Sequence, residues 1–312
     1  MPTVQFYDAV RQYQVILNEK SGTVVAGVDP AAVQAAFARA GIAAQVRLVA
    51  PTEIEAALRA AAGTYPDAVI IGGGDGTVRS AAAVLAGTGV ALGVLPLGTL
   101  NHFAKDLGIP DATDEAIVAL SAGIAADVDV AEVNGQVFVN NCSLGSYPEA
   151  VRHREALRRQ RGHRKGWAMC QAVLRAFVRL RRLRLRIAVD AQPARAVRAP
   201  FVFVANNRYS GHLLSAHLRP TLEGGRLWVY TAHAHRHLTI IRMFFQSLFR
   251  RIDAADALEA QSGQEVVIEH AAGALAAAVD GELVLLQSPL RFRIRPRALR
   301  VLRPAVAEAR AA

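Results

Sequence analysis

Six consecutive residues, Gly72-Gly73-Gly74-Asp75-Gly76-Thr77, carry the most chemistry in this 312-residue chain. They follow the apolar run "DAVII" and precede the helix-forming "VRSAAAVL". Glycines let a backbone approach a phosphate closely, and a helix N-terminus offers unpaired N–H groups and its positive dipole end. Two common phosphate loops do not fit. A Walker loop needs Lys-Ser/Thr after its last glycine, where Thr77-Val78 stands, and a dinucleotide fingerprint begun at Gly72 needs glycine at position 77. Asp75 would repel a bare pyrophosphate, so a phosphate here calls for a divalent cation between the two. A tight strand–helix turn with Asp75 as N-cap accounts for the same residues without a ligand.

A second loop repeats the arrangement. "LPLGTLNHFAKDLGIP" (95–110) places Gly98-Thr99 between an apolar strand and a helix. On neighbouring strands, the two loops would bring Asp75, Thr77, Thr99 and Asn101 to one sheet edge, where parallel α/β sheets bind ligands. "NEKSG" (18–22) follows the first strand and is a third candidate.

The elements that must position these loops alternate. Strands are expected at 13–18, 43–50, 67–73 and 89–96. Helices are expected at 29–41, with Asp29 as N-cap and Pro30 at the first position, at 52–63, with a Thr52–Glu55 capping box, at 77–87, and over "NHFAKDLG". This pattern predicts a parallel α/β domain. It changes near Asp127. "ADVDVAEV" and "QVFVNNCSL" alternate and are joined by Asn134-Gly135, a type I′ hairpin signal. A long helical stretch (148–183) follows, then strands in "RLRIAVD", "VRAPFVFVAN", "GRLWVYTA", "QEVVIEHAA" and "LAAAVDGELV", interrupted by the helix "HLTIIRMFFQSLFRRI". This half predicts antiparallel β structure with inserted helices, ending in the basic strand "PLRFRIRPRALRVLRP".

Composition sets the outer bounds. Hydrophobic residues make up 52% and aromatic ones 6%, which is globular, with a core of small aliphatics. The net charge of +10 suits anionic lipid, nucleic acid or phosphate ligands, or reflects an arginine-rich composition alone. No helix-turn-helix, zinc or RNA motif appears, so nucleic acid is not expected. Cys142 and Cys170 lie in apolar surroundings outside any CxxC, as buried thiols of a reducing compartment do. "MPTVQFYDAVRQ" lacks the apolar core of a secretory signal, and no apolar run is long enough for a transmembrane helix.

In order along the chain, "NEKSG" (18–22), "GGGDGT" (72–77), "PLGTLNHFA" (96–104) and "DGE" (280–282) resemble the motifs of lipid kinases with a diacylglycerol-kinase catalytic domain, which include bacterial diacylglycerol kinases and sphingosine kinases. "VNGQVFVNNCSLG" and "VFVANNRYSG" resemble that family's second domain. "GGDGT" alone also fits NAD kinases and phosphofructokinases. The resemblance implies an α/β nucleotide-binding domain (1–127 plus about 290–312), to which the C-terminal strand returns, and a β-sandwich domain with inserted helices on the lipid side (128–289). It implies ATP and Mg²⁺ as cofactors and a lipid hydroxyl as acceptor, diacylglycerol or a relative. Asn18, Ser21, Gly22, Gly73, Gly74, Gly76, Thr77, Gly98, Thr99 and Asn101 would bind nucleotide. Asp75 would work with Mg²⁺ and Glu282 would be the general base. Composition alone reads "VDGELV" as a hairpin turn. The chain departs from the family with Glu19 for a proline, Arg79-Ser80 for Asn-Glu and His102 for aspartate. In the second-domain aspartate loop, which holds a structural Mg²⁺ in some bacterial members, only Glu223 of "RPTLEGGRLWV" is acidic. A NAD-kinase-like enzyme with a soluble acceptor, and a nucleotide- or lipid-binding relative without kinase activity, stand as alternatives.

The segment 152–186 interleaves arginines with Leu157, Trp167, Val173 and Phe177. Arg158, Arg159, Arg161, Arg164, Lys165 and Trp167 would meet an anionic membrane, and Phe244, Phe245 and Phe249 with Arg250 and Arg251 suit the same surface. A solvated helix face packed on the β domain is the other reading. The expected location is cytoplasmic, peripheral to the inner membrane. Oligomeric state leaves no signal, and a homodimer stays open. His233, His235 and His237 lack an acidic or cysteine partner at suitable spacing, so they read as a strand end entering a helix, not a metal site.

Overall fold

Strands whose residues are apolar without alternation must be covered on both faces, and a parallel sheet with flanking helices does this. In the computed structural model, which describes residues 11–22, 27–145, 182–209, 219–232 and 258–305, four such runs form β1 (Gln12–Asn18), β2 (Ala43–Val49), β3 (Ala68–Gly73) and β4 (Ala91–Pro96). Every residue of β3 and β4 is buried. The chain divides into two units, Met1–Asp127 with Leu299–Ala312, and Val128–Ala298.

Unit one is the parallel sheet, in the order β2-β1-β3-β4, with the end of the last strand beside β4 through Val301 opposite Leu92. The order reverses at β1: β2 lies on one side and β3 on the other. The loops after β1 and β3 therefore leave the sheet at a switch point, where helices diverge and a crevice opens. Helix α1 (Pro30–Arg39) starts where Asp29 accepts from Ala31 N at 2.9 Å. It buries Val33 and Phe37, and Phe37 meets Tyr13 edge-on at 5.9 Å. Helix α2 (Ile54–Ala62) corrects the expected capping box. A turn closed by Glu53 N to Ala50 O delays the helix to Ile54, so Thr52 lies outside it. The cap residue Glu53 makes no side-chain cap bond, and Glu55 pairs with Arg59 one turn on. Helix α3 (Asp75–Leu85) begins two residues earlier than its sequence suggests; α4 (His102–Asp106) is short; α5 (Thr113–Ser121) has no counterpart in the sequence reading.

Unit two holds two antiparallel sheets. β5 (Ile124–Val133), which crosses from unit one, turns through Asn134-Gly135 at φ 47° and 80° into β6 (Gln136–Phe138), the expected left-handed hairpin. β7 (Asn141–Gly145), β8 (Leu183–Val189), β9 (Arg195–Ala199), β10 (Phe201–Asn206), β11 (Leu227–Ala232), β12 (Leu258–Gly263), β13 (Glu265–His270), β14 (Ala274–Val279), β15 (Glu282–Gln287) and β16 (Leu290–Arg303) follow. One sheet runs β16-β13-β8-β9, with β5 beside β16; the other runs β12-β11-β10-β7-β14-β15. Alternate residues of both, among them Leu185, Ile187, Val204, Val229, Ile268, Val279 and Phe292, form one buried cluster, so the unit is a β-sandwich. The long helical stretch near 148–183, the helix at 237–252, the three histidines and the membrane-contact residues Arg158 to Trp167 lie outside the described residues, except for Arg182 and for Leu183, which opens β8.

One buried carboxylate ties three segments of unit two. Asp129, 1% exposed, accepts from Asn207 Nδ2 at 3.0 Å, Gly225 N at 2.7 Å and Arg297 N at 2.8 Å. Asp129→Ala is expected to lower unfolding free energy by about 3 kcal/mol or more, because bonds to a charged acceptor are lost together and buried donors are orphaned; a urea titration checks this. Cys142 is fully buried, and burial, aided by the nearby Asp280 charge, pushes its thiol well above the ordinary range. The folded state therefore keeps this proton where the unfolded state loses it, and the thiol's contribution to stability falls as pH rises above the ordinary thiol pKa. Iodoacetamide at pH 8.5 is expected to leave the Cys142 peptide unmodified in the native protein and to label it in denaturant, read by mass spectrometry.

Candidate functional site

Three loops of unit one are drawn together by their own atoms. Leu97 N donates to Gly73 O at 3.2 Å, joining the loop after β4 to the end of β3. The contact is backbone on backbone: a Cβ on Gly98 would lie 2.4 Å from Gly74 Cα and 2.7 Å from Asn101 Oδ1. A Cβ on Gly73 would strike Thr77 Cβ at 2.6 Å. Both glycines are required by close approach, whatever binds beside them. From β1, Asn18 Nδ2 donates to Thr77 Oγ1 at 2.8 Å, while Asn18 Oδ1 accepts from Lys20 N at 3.0 Å. Ser21 Oγ donates to Asn18 O at 2.9 Å.

The asparagines therefore shape loops. Asn101, held left-handed at φ 52°, is 8% exposed; its Oδ1 accepts from Gly98 N at 3.0 Å and its Nδ2 donates to Pro96 O and Gly98 O, each at 3.1 Å. Ser21 and Thr77 are also buried, at 7% and 9% exposed. Gly22 and Thr99 are exposed. Gly74 is the cap of α3, and Asp75, Gly76 and Thr77 form its first turn, where N–H groups have no intrahelical acceptor. Asp75 is thus not the N-cap that a bare turn would use.

Asp75 shows what such a ligand must bring. Its Oδ1 is buried and has no hydrogen-bond partner in the protein. A carboxylate oxygen removed from water needs a cation or a donor. Among the described residues no three His, Cys, Asp or Glu side chains converge, so the protein by itself forms no metal cage. Mg²⁺ fits this donor set, since it is commonly held by one or two carboxylates, substrate phosphates and water. Ser80, at the family's acidic position, donates back to Gly76 O at 3.2 Å, and His102 opens α4.

Glu282 belongs to unit two. It opens β15 and is exposed, following Asp280 and Gly281 at φ 47° and 85°. The hairpin reading of "VDGELV" is therefore right as geometry. What it missed is Asp280. Only 8% exposed, Asp280 accepts from Val139 N at 2.8 Å, Asn140 N at 2.8 Å and Asn141 N at 2.9 Å. Asp-Gly is so common in such turns that the turn alone seemed to explain the residue.

Gly98→Ala is expected to destabilise the chain by about 1–3 kcal/mol through overpacking and to abolish any rise in melting temperature with ATP and Mg²⁺. Gly63→Ala, at the end of α2, where the added carbon makes only ordinary 3.5 Å contacts with Arg59 O and Ala60 O, should leave both unchanged. Equal responses in the two variants would refute the role of the backbone contact.

Residues 12–133 match the family model described as the diacylglycerol kinase catalytic domain, and residues 144–303 match the YegS C-terminal NAD kinase beta sandwich-like domain. A relative from Citrobacter koseri named "Probable lipid kinase YegS-like" is 44% identical over 85 residues, which are 26% of this chain and 28% of that protein. "Probable lipid kinase YegS" from Salmonella newport is 46% identical over 85 residues, again 26% and 28%. The matched stretch thus spans little more than a quarter of these curated relatives. Among solved structures, a diacylglycerol kinase from Bacillus anthracis str. Sterne superposes with a TM-score of 0.69 at 18% identity, covering 94% of this chain and 97% of that one. An NAD kinase from Archaeoglobus fulgidus in complex with ATP gives 0.50 at 10% identity, covering 94% and 93%. Those likenesses establish the fold, while the two family models match in order and the second alone spans more than half of the residues. On that ground, the chain belongs to the diacylglycerol kinase catalytic-domain family, of the kind that carries the YegS-type C-terminal domain.

Proposed function

We propose that this protein is an ATP-dependent lipid kinase that transfers the γ-phosphoryl group to a hydroxyl of diacylglycerol or a related lipid. One observation carries the reading: the partnerless buried oxygen of Asp75 at the start of α3, beside first-turn N–H groups. A carboxylate and a helix N-terminus at one spot suit a phosphate and a divalent cation bound together, and neither ligand alone. The relatives' names, which speak of lipid kinases, support the same class.

Phosphoryl transfer asks little covalent chemistry of the protein; it asks for neutralised charge and a positioned hydroxyl. The N–H groups of Asp75, Gly76 and Thr77 cradle the phosphates, with Asn18 and Asn101 keeping the loops in shape. Asp75 would hold Mg²⁺, which would supply positive charge to offset that of the phosphates. Glu282 takes the proton from the acceptor hydroxyl. No helix among the described residues is long and apolar enough to cross a membrane. A lipid acceptor then requires docking at a bilayer surface, and the arginine-rich segment from Arg158 to Trp167 supplies the charge for anionic lipid.

The deciding assay offers ATP and Mg²⁺ with mixed micelles of diacylglycerol, monoacylglycerol, ceramide or sphingosine, and with NAD as a soluble acceptor. Phosphorylation of a lipid is expected, with kcat reduced at least about 100-fold by Asp75→Ala and by Glu282→Ala. Transfer to no lipid would remove the kinase reading, and transfer to NAD alone would replace it. Full activity in Glu282→Ala would remove that residue as base. Sedimentation with vesicles should show binding that rises with anionic lipid and falls with salt.

A further inference from the structure

In unit two, a cation and a carboxylate grip one three-residue segment from opposite sides. Arg219 is buried, 4% exposed. Its Nη1 donates to Val139 O at 2.6 Å and Asn206 O at 2.8 Å, and its Nη2 to Asn140 Oδ1 at 3.2 Å. Asp280 accepts the N–H groups of Val139, Asn140 and Asn141. The segment Val139–Asn141 thus turns oxygens toward a guanidinium and N–H groups toward a carboxylate. Charge-assisted bonds of this kind are the strong ones, more so in a low-dielectric interior. The segment also grips back, since Asp280 N donates to Asn141 O at 2.9 Å. Tyr209 braces the same place: its ring lies 6.0 Å from the Arg219 guanidinium carbon, and its hydroxyl accepts from Asn141 Nδ2 at 3.2 Å.

The consequence falls on the next turn. Asp280 is left-handed, at φ 47°, a conformation that its bonds to the segment hold in place. Two residues later comes Glu282. We propose that Arg219 is a positioning residue for Glu282: by fixing Val139–Asn141 it fixes Asp280, and Asp280 sets where the turn presents the glutamate. The identity of Glu282 as base rests on the lipid-kinase reading; the clamp itself rests on geometry alone. Arginine suits the position because its planar fork directs donors from two separated nitrogens at these three oxygens, whereas a lysine offers its three donors from a single point. An apolar side chain would leave those buried oxygens unsatisfied.

The test uses Arg219→Met, Arg219→Lys, Asp280→Asn, Glu282→Gln and the double variant Arg219→Met/Glu282→Gln in the full chain. Melting curves confirm that each is folded at the assay temperature. Arg219→Met is expected to lower kcat at least about 30-fold with the ATP KM within about twofold, because a misplaced group costs rate more than binding. Arg219→Lys should restore part of kcat. Asp280→Asn, which keeps the shape but drops the charge and turns an NH₂ donor toward a backbone N–H, should resemble Arg219→Met and stands in for it if that variant does not fold. The double variant should be no slower than Glu282→Gln, since a displaced base and an absent one are equivalent. Single effects that multiply in the double variant overturn the proposal, because Arg219 then acts independently of Glu282. Deuterium uptake provides an arm that does not need activity. It should rise over Val139–Asn141 and Gly281–Leu283 in Arg219→Met and remain unchanged in unit one. Unchanged uptake over those segments overturns the clamp. Raised uptake in a protein that phosphorylates no lipid supports the clamp while removing the kinase reading.

Discussion

The close approach of two backbones, at Gly74 and Gly98, is the constraint on which unit one depends. A single methyl group at Gly98 would overlap the Cα of Gly74. Only without a side chain at Gly98 can the loops after β3 and β4 leave the sheet side by side, whereas a Cβ on Gly74 would meet Gly98 Cα at 3.4 Å. The rest follows from that closeness. Leu97 N reaches Gly73 O, Thr77 packs over Gly73, and Asn18 crosses from β1 to bind Thr77. The first turn of α3 is then presented with its N–H groups outward at a point where the strand order reverses. The glycines of such a loop are often credited to the ligand; here their geometry is already demanded by the protein.

Buried charge organises unit two in a different way. Three acceptor or donor centres, Asp129, Arg219 and Asp280, lie below a tenth exposed; Asp129 and Arg219 each bond to main chain from two places in the sequence, and Asp280 gathers three consecutive amides. A sandwich of aliphatic side chains specifies which faces turn inward, but apolar contact is nondirectional and tolerates small slips. Charged hydrogen bonds to specific amides do not. They pin the irregular connections, residues 139–140, 219–225 and 280–281, which lie between the paired strands and carry no register of their own.

Much of this was legible in the residues. The uninterrupted apolar runs at 67–73 and 89–96 led to buried parallel strands, and Asn134-Gly135 led to a left-handed hairpin, because each signal is local. Asp29-Pro30 likewise marked a helix start. The capping box at Thr52–Glu55 failed although its residues match, because a turn after Pro51 shifted the helix start by two positions. Helix α5 went unseen because its apolar residues, Ala116 to Leu120, form one short continuous run, which does not by itself tell helix from strand. The motif residues were found, but their tasks were not separable: Asn18 and Asn101 look like ligand contacts in sequence and serve as loop braces in the structure.

Sequence alone determined the strand–helix alternation around the glycine loops, the motif series and the family resemblance, because glycine spacing, hydrophobic period and turn dipeptides are properties of short windows. Tertiary structure decided which polar groups are already satisfied by the protein and which are left over. Asp75 and Asp280 are both aspartates beside glycine in equally plausible motifs. Folding surrounds Asp280 with three amides and leaves an oxygen of Asp75 buried with none. That difference arises from residues more than a hundred positions away in the chain for Asp280, and from the burial of a helix start for Asp75. Neither is visible until distant segments meet.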